Sequence, residues 1–222
     1  MCPNKQLKNL CYFCGLEGAD TIEDIPPRSF FPDGQRQGLI RIPAHASCNG
    51  NWTKAIEYFR NVFSGLSGKN NFTASVLFDT KGKRSLQNSP KLRSKLVSEL
   101  RPRIDFISAG GVYLGSKPGV YIDPDHKENF VNHMVRGLYF HHKKVPLPAN
   151  VKIKTHLQPR TSAPLIIQSM PIVEIHPKVF KYRYLFANDH IHASAWLLGF
   201  YDVEAGTIFA ITDPSGESQL GT

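Results

Sequence analysis

The sequence predicts an α+β protein, with a small N-terminal module followed by a larger part built on a mostly antiparallel sheet. Paired cysteine and histidine residues within the first fifty positions indicate the module. Helical apolar periodicity dominates up to about residue 142, and short β-rich runs follow from residue 151. Glycines and an Asn-Asn pair at 65–71 interrupt the first helical pattern, so we place a domain boundary between residues 1–70 and 71–222.

The composition excludes several classes of protein. Of the 222 residues 41% are hydrophobic, which is enough to build a core and excludes wholesale disorder. The 27 Lys and Arg residues exceed the 18 Asp and Glu residues, giving a formal net charge of +9. No apolar run approaches the roughly 18 residues of a membrane-spanning helix, and the first ten residues lack a signal-peptide core. We therefore expect a soluble, cytoplasmic protein with no membrane partner.

Four residues have the spacing of a metal site. Two residues separate Cys11 from Cys14, and two separate His45 from Cys48. Three thiolates and one imidazole suit tetrahedral Zn²⁺, and a closed set of four protein ligands indicates a structural ion. A disulfide would need an oxidising compartment, which nothing in the sequence indicates, and a redox Cys-x2-Cys needs a strand and helix context that is missing. We interpret Cys2 as a spare thiol.

Three segments have the apolar spacing of helices. The first covers about residues 51–64, with one face formed by Trp52, Ile56, Phe59 and Phe63. The dipeptide Ser89-Pro90 is typical of a helix start and precedes leucines at positions 92, 96 and 100. The third helix begins at Asp123-Pro124 and ends near His142.

The remaining pattern predicts strands. A glycine-rich strand region covers residues 110–121, before the third helix. Five β-rich runs follow Pro148, at residues 151–155, 164–175, 180–186, 193–201 and 207–212. Residues 203–206 are interpreted as the turn of a hairpin between the last two strands, and residues 216–222 as a polar tail. His190 and His192 alternate as they would on a strand, where such a pair is usually packing or surface.

Basic residues are concentrated between Lys81 and Arg103, where eight of them are accompanied by a single acid, Glu99. The polar side of the predicted second helix carries Lys91, Arg93 and Lys95. This pattern favours contact with the phosphates of a nucleic acid, DNA rather than RNA. A solvated face that maintains solubility is the alternative interpretation. A second basic stretch extends from Lys143 to Arg160.

The segment between the two ligand pairs carries further chemistry. It contains Glu23-Asp24-Ile25-Pro26-Pro27, and Asn49 directly follows the last cysteine. The order Cys-x2-Cys, acidic residue, Pro-Pro, His-x2-Cys-Asn and helix resembles HNH endonuclease-like proteins, a treble-clef zinc group of His-metal finger nucleases. The resemblance covers residues 10–63, roughly a quarter of the chain.

The resemblance implies a ββα-metal fold that hydrolyses phosphodiester bonds with a single Mg²⁺ or Mn²⁺ ion. It places Glu23 and Asn49 at metal-ligand positions and Asp24 where the family has its catalytic histidine. Ile40 stands where the family has a middle asparagine. The candidate phosphate contacts are Arg28, Arg36 and Arg41.

The aspartate changes the expected chemistry. Asp is about 2.6 pKa units less basic than His, and a neighbouring cation lowers its pKa further. We therefore predict Glu23, Asp24 and Asn49 as catalytic residues around an ion that itself activates water. The first function predicted is a metal-dependent endonuclease of HNH-like type that hydrolyses the phosphodiester bonds of DNA or RNA. The alternatives are a zinc module that binds nucleic acid without cleavage, a protein-interaction module, or a plain acidic surface pair at Glu23 and Asp24.

Overall fold

The computed structural model describes residues 9–108, 110–157, 163–202 and 207–214. Cys2, Arg160, the predicted turn at 203–206 and the predicted tail at 216–222 lie outside these ranges. Within them, helices are combined with three antiparallel sheets, which confirms the predicted mixture of helices and antiparallel strands. Among the described residues, no helix has both the length and the apolar character needed to cross a membrane.

The N-terminal part is a hairpin followed by two helices. Strands β1 (Thr21–Ile25) and β2 (Ile40–Ala44) pair antiparallel. Helix α1 (Ala46–Gly50) is short, and α2 (Thr53–Ser67) follows it after a two-residue break. The predicted helix therefore exists but begins two residues later and ends three residues later than expected. Its aromatic stripe faces the core, as the periodicity predicted.

Three further helices lead away from this part. Helix α3 (Phe72–Leu77), a π-helical turn (Phe78–Gly82) and α4 (Lys83–Asn88) were not predicted, because they bury few apolar side chains. Helix α5 (Pro90–Glu99) begins as predicted, with the backbone N–H of Leu92 donating to Ser89 Oγ.

Strands β3 (Leu100–Ile107) and β4 (Tyr113–Val120) form a two-stranded antiparallel sheet. Leu100, predicted to continue the helical leucine face, instead begins β3 and is exposed. We call the hairpin of residues 100–120 the arm. The predicted glycine-rich strand is its second strand.

Helix α6 (Pro124–Lys143) lies at the centre of the molecule and is almost completely buried from residue 130 to 140. Asp123 caps its start by accepting a hydrogen bond from the backbone N–H of His126 at 2.9 Å. A Cβ added at Gly137 would lie 2.6 Å from Ile25 Cγ1 and 3.1 Å from Ile42 Cδ1. Only glycine therefore allows α6 to approach the hairpin this closely.

A five-stranded sheet completes the fold. Its strands, in spatial order β5-β9-β8-β7-β6, are β5 (Lys152–Leu157), β9 (Thr207–Asp213), β8 (Ser194–Phe200), β7 (Phe180–Phe186) and β6 (Val173–His176). The predicted strand at 164–175 is wrong in its first half, where α7 (Leu165–Ser169) turns Ile167 into a small apolar cluster. The strand prediction for His190 and His192 is also wrong, because both lie in the turn before β8.

One hydrophobic core runs through the described residues from Cys11 to Ala210. Phe63 of α2 stacks on Phe200 of β8, with ring centroids 4.9 Å apart. The Asn71 side chain donates to the carbonyl oxygens of Lys178 and Tyr201, each at 2.8 Å. Residues on both sides of the predicted boundary contribute to this core, and the division into 1–70 and 71–222 stays a prediction.

Candidate metal centre and adjoining pocket

The four predicted metal ligands converge. The ligand atoms of Cys11, Cys14, His45 and Cys48 all lie within 4.8 Å of one another. The edge of a tetrahedron of Zn–S bonds measures about 3.8 Å, so the cluster is compact enough to hold an ion. Three sulfurs and one imidazole nitrogen are a donor set of structural Zn²⁺. The prediction of a four-residue site that could hold a metal is confirmed.

The local backbone positions the four ligands and donates hydrogen bonds to the Cys11 sulfur. Gly15 has a φ of +77°, which allows the turn after Cys14. His45 donates its backbone N–H to Cys11 Sγ at 3.4 Å. Burial raises the pKa of Cys11, but hydrogen bonds from backbone N–H groups, that of Cys14 foremost, outweigh it and lower the pKa. The His45 ring contacts the Glu17 carbonyl through Nε2 at 3.0 Å, which leaves Nδ1 directed to the sulfurs.

A cavity of about 520 Å³ lies between the hairpin and the start of α2. All three predicted catalytic residues line it: Glu23, Asp24 and Asn49. Two of the predicted phosphate contacts, Arg28 and Arg41, line it as well. We call this cavity the acidic-arginine pocket.

Glu23 is the most buried group of this pocket, with 6% of its surface exposed. Its Oε2 accepts a hydrogen bond from Trp52 Nε1 and its Oε1 one from the backbone N–H of Asp24, each at 3.1 Å. Burial raises the pKa of Glu23 to about 7, although both hydrogen bonds lower it. The carboxylate therefore changes charge near neutral pH.

The two other candidates are nearer the surface. Asp24 Oδ1 lies 3.9 Å from Arg41 Nε, in an ion pair whose arginine is 72% exposed. Asn49 Nδ2 donates to the carbonyl oxygen of Ile22 at 3.3 Å, which holds α1 against β1.

Two half-buried pocket residues that sequence analysis missed each have a buried polar atom without a hydrogen-bond partner. Within the described residues, Arg60 Nε and Ser29 Oγ have no partner. The Arg60 guanidinium lies 3.9 Å from Glu57, which also lines the pocket. Burial lowers the pKa of Arg60. A sequence signal existed, because Arg60 follows Ile56 by four positions and interrupts an apolar helix face with a charge.

The other predicted nucleic-acid contacts lie elsewhere. Arg36 forms an ion pair with Asp33 outside the pocket. Lys95 Nζ lies 2.6 Å from Asp123 and 3.7 Å from Glu99, so its charge is already compensated. Lys91 and Arg93 are exposed on α5.

An aromatic stack joins the metal cluster to the pocket. The His133 ring lies between Phe13, at 3.9 Å, and Trp52, at 4.6 Å, both nearly parallel to it. Tyr12 Oη lies 2.7 Å from His133 Nδ1. Burial, with a smaller contribution from Arg136, lowers the pKa of His133 to about 3, so the ring stays neutral.

We compared the chain with known protein families, curated proteins and solved structures. No protein-family model, no curated protein and no solved structure gives a significant match to the chain. The site itself therefore carries the functional argument.

Proposed function

We propose that this protein is a metal-dependent phosphodiesterase that cleaves DNA at the acidic-arginine pocket. The observation that carries the proposal is the pairing, in one cavity, of carboxylates with buried donors that lack partners, Arg60 Nε and Ser29 Oγ. A surface that only binds phosphate would gain nothing from Glu23 and Asp24, because like charges repel. A divalent cation between carboxylate and phosphate removes that conflict.

The donor chemistry of the pocket suits such an ion. Mg²⁺ prefers carboxylate and amide oxygens, which Glu23, Asp24 and Asn49 supply. Each carboxylate oxygen has a second lone pair beyond the one that accepts its hydrogen bond. Bound there, Mg²⁺ or Mn²⁺ would polarise a phosphate oxygen and lower the pKa of a bound water. Arg60 and Ser29 would hold the non-bridging phosphate oxygens.

The proposal includes the fold type. We assign the Cys₃His cluster, the β1–β2 hairpin and the following helices to a treble clef of the HNH type, with zinc as its structural ion. Support comes from the chain order and from the position of Glu23 on β1, directly opposite Ile42 on β2. With Asp24 at the position of the family histidine, a bound ion rather than a side chain would activate the attacking water.

A supercoiled-plasmid nicking assay with added Mg²⁺ or Mn²⁺ tests this function. Asp24→Asn removes a charge without changing shape, and Arg60→Gln removes a phosphate donor. Glu174→Gln, at an exposed position on β6, is the matched control. Zinc content and circular dichroism establish that each variant is folded.

We expect nicking by the wild type and by Glu174→Gln. Loss of one preorganised donor, as in Arg60→Gln, should slow cleavage on the order of 100-fold. Cleavage that needs no added ion, or that both pocket variants retain, would refute the proposal.

Binding of DNA without cleavage is the second candidate function. It is favoured by the two hydrogen bonds that already occupy Glu23. No histidine lines the pocket in the described part of the chain, so the histidine base of the resembled family has no counterpart there. A wild-type protein that shifts the plasmid in a gel, yet never nicks it, would establish this alternative.

A further inference from the structure

Most of the described residues of the arm are exposed. Those at 100–105, 107 and 110–114 all are, on both faces of the ribbon. Several are large and apolar, with exposed fractions of 64% for Ile107, 62% for Val112 and 67% for Leu114. A two-stranded hairpin is marginally stable alone in water, and exposed apolar groups of this size usually mark a contact surface.

The chemistry of the arm changes along its length. Near its base, Arg101 and Arg103 are exposed, and they end the basic segment that begins at Lys81. The Arg103 guanidinium pairs with Asp105 at 2.7 Å, in an exposed ion pair that exchanges partners at little cost. The far end carries the apolar residues Ile107, Val112 and Leu114. One narrow ribbon therefore carries cationic residues at the end next to α5 and apolar residues at its tip.

These dimensions fit duplex DNA. Eight residues per strand give a ribbon about 27 Å long at about 3.4 Å per residue. The major groove, about 12 Å wide, admits a two-stranded ribbon. Cationic side chains at the end next to α5 would contact phosphates, and apolar side chains near the tip would contact thymine methyl groups in that groove.

Charge decides between DNA and a second copy of the chain. Pairing of two arms would bring together two cationic ribbons, since residues 100–120 contain three basic residues (Arg101, Arg103 and Lys117) and one acid, Asp105. Their repulsion disfavours self-association, whereas a polyanion gains from both.

We propose that the arm is a ribbon that binds double-stranded DNA. The cationic residues at the end next to α5 and the apolar residues at the tip would both contact the duplex. This inference rests on the proposed function in so far as DNA is the partner, and it names double-stranded DNA as the form bound. It assigns a role to a part of the chain that lies outside the acidic-arginine pocket.

Fluorescence anisotropy with a labelled 30-base-pair duplex, and with the matching single strand, tests the arm. The first variant is Arg101→Ala with Arg103→Ala, and the second is Val112→Ser with Leu114→Ser. Lys69→Ala with Lys178→Ala removes two exposed charges elsewhere and is the matched control. Each affinity is measured at several salt concentrations, and sedimentation gives the oligomeric state.

The arginine variant should bind duplex at least tenfold more weakly, with a salt slope reduced by about 2, since each phosphate contact contributes about 0.9. The serine variant should lose duplex affinity severalfold, keep the salt slope and leave single-strand binding unchanged. The control should match the wild type.

Three outcomes would overturn the arm proposal. They are no duplex binding by the wild type, duplex binding by both arm variants with the affinity of the wild type, or an arm-dependent dimer that leaves DNA affinity unaffected. The two proposals fail separately. Arm-dependent binding without plasmid nicking would refute only hydrolysis, and nicking with arm-independent binding would refute only the arm.

Discussion

The hydrogen bond between Trp52 and the buried Glu23 carboxylate makes a quantitative prediction possible. Trp52→Phe keeps an aromatic ring beside His133 but removes the indole N–H that donates to Glu23 Oε2. Glu23→Gln keeps the shape of the acceptor but removes its charge. A hydrogen bond contributes about 1.5–3 kcal/mol when one partner is charged and about 1 kcal/mol when both are neutral. Because the amide oxygen introduced by Glu23→Gln still accepts the N–H, the double-mutant cycle reports the difference and should give a coupling of about 1 kcal/mol at pH 8.5.

The pH dependence of this coupling follows from the raised pKa of Glu23. With a pKa of about 7, the carboxyl is ionised at pH 8.5 and protonated at pH 5.5. At pH 5.5 the acceptor is neutral in the wild type and in Glu23→Gln alike, and the coupling should fall to about zero. The donated N–H stabilises the ionised carboxylate more than the protonated carboxyl, so the coupling is stabilising and increases with pH.

Urea unfolding followed by circular dichroism measures all four proteins of the cycle. Fluorescence is unsuitable because the chain has only two tryptophans, and one is changed. Trp196→Phe provides the control cycle with Glu23→Gln, since Trp196 donates instead to Ser194 Oγ at 2.8 Å. A Trp52–Glu23 coupling under about 0.5 kcal/mol at pH 8.5, or one larger at pH 5.5, would refute the reasoning.

Three more perturbations test the structure. Cys14→Ser should release the ion and unfold the N-terminal part, as metal analysis and circular dichroism would report; a folded, metal-free variant would contradict the assignment. Arg136→Met should lower the free energy of unfolding by about 3 kcal/mol, because the buried guanidinium donates to the carbonyls of Leu147 and Val151; an unchanged urea midpoint would exclude this. His133 has a folded pKa of about 3, so the unfolded chain alone binds a proton below about pH 6.5, and wild-type stability should decrease on acidification by up to about 1.4 kcal/mol per pH unit. His133→Phe should lack that part of the decrease, and equal slopes in urea titrations would count against it.

Local signals predicted the parts of the fold that local chemistry determines. Ligand spacing located the metal cluster, and Asp123-Pro124 located the start of α6, because caps and ligand pairs act over a few residues. The π-helical turn and the two short helices beside it were missed, since long-range packing rather than an apolar stripe holds them. The isoleucines of α7 suggested a strand, yet one helical turn buries Ile167 better.

The candidate site was predictable to a similar extent. The family resemblance singled out Glu23, Asp24 and Asn49, and all three line one cavity. Arg60 was missed because sequence analysis treated α2 as a core helix with one apolar face. Its position could be interpreted only once the hairpin was seen to cover that face of the helix. The shorter of the two ion pairs of Lys95 likewise depends on Asp123, which lies 28 residues away in the chain.

The close approach at Gly137 has a consequence for the modularity of this protein. A fragment ending at residue 70 would leave Ile25 and Ile42 without the helix that covers them, so ion binding would have to drive folding unaided. We therefore expect such a segment to fold less readily than the intact chain. With an ion at the Cys₃His cluster, whatever loosens α6 would weaken retention of the ion, and loss of the ion would loosen α6 by the same free energy. The metal affinity of the intact chain would then measure the stability of the whole fold.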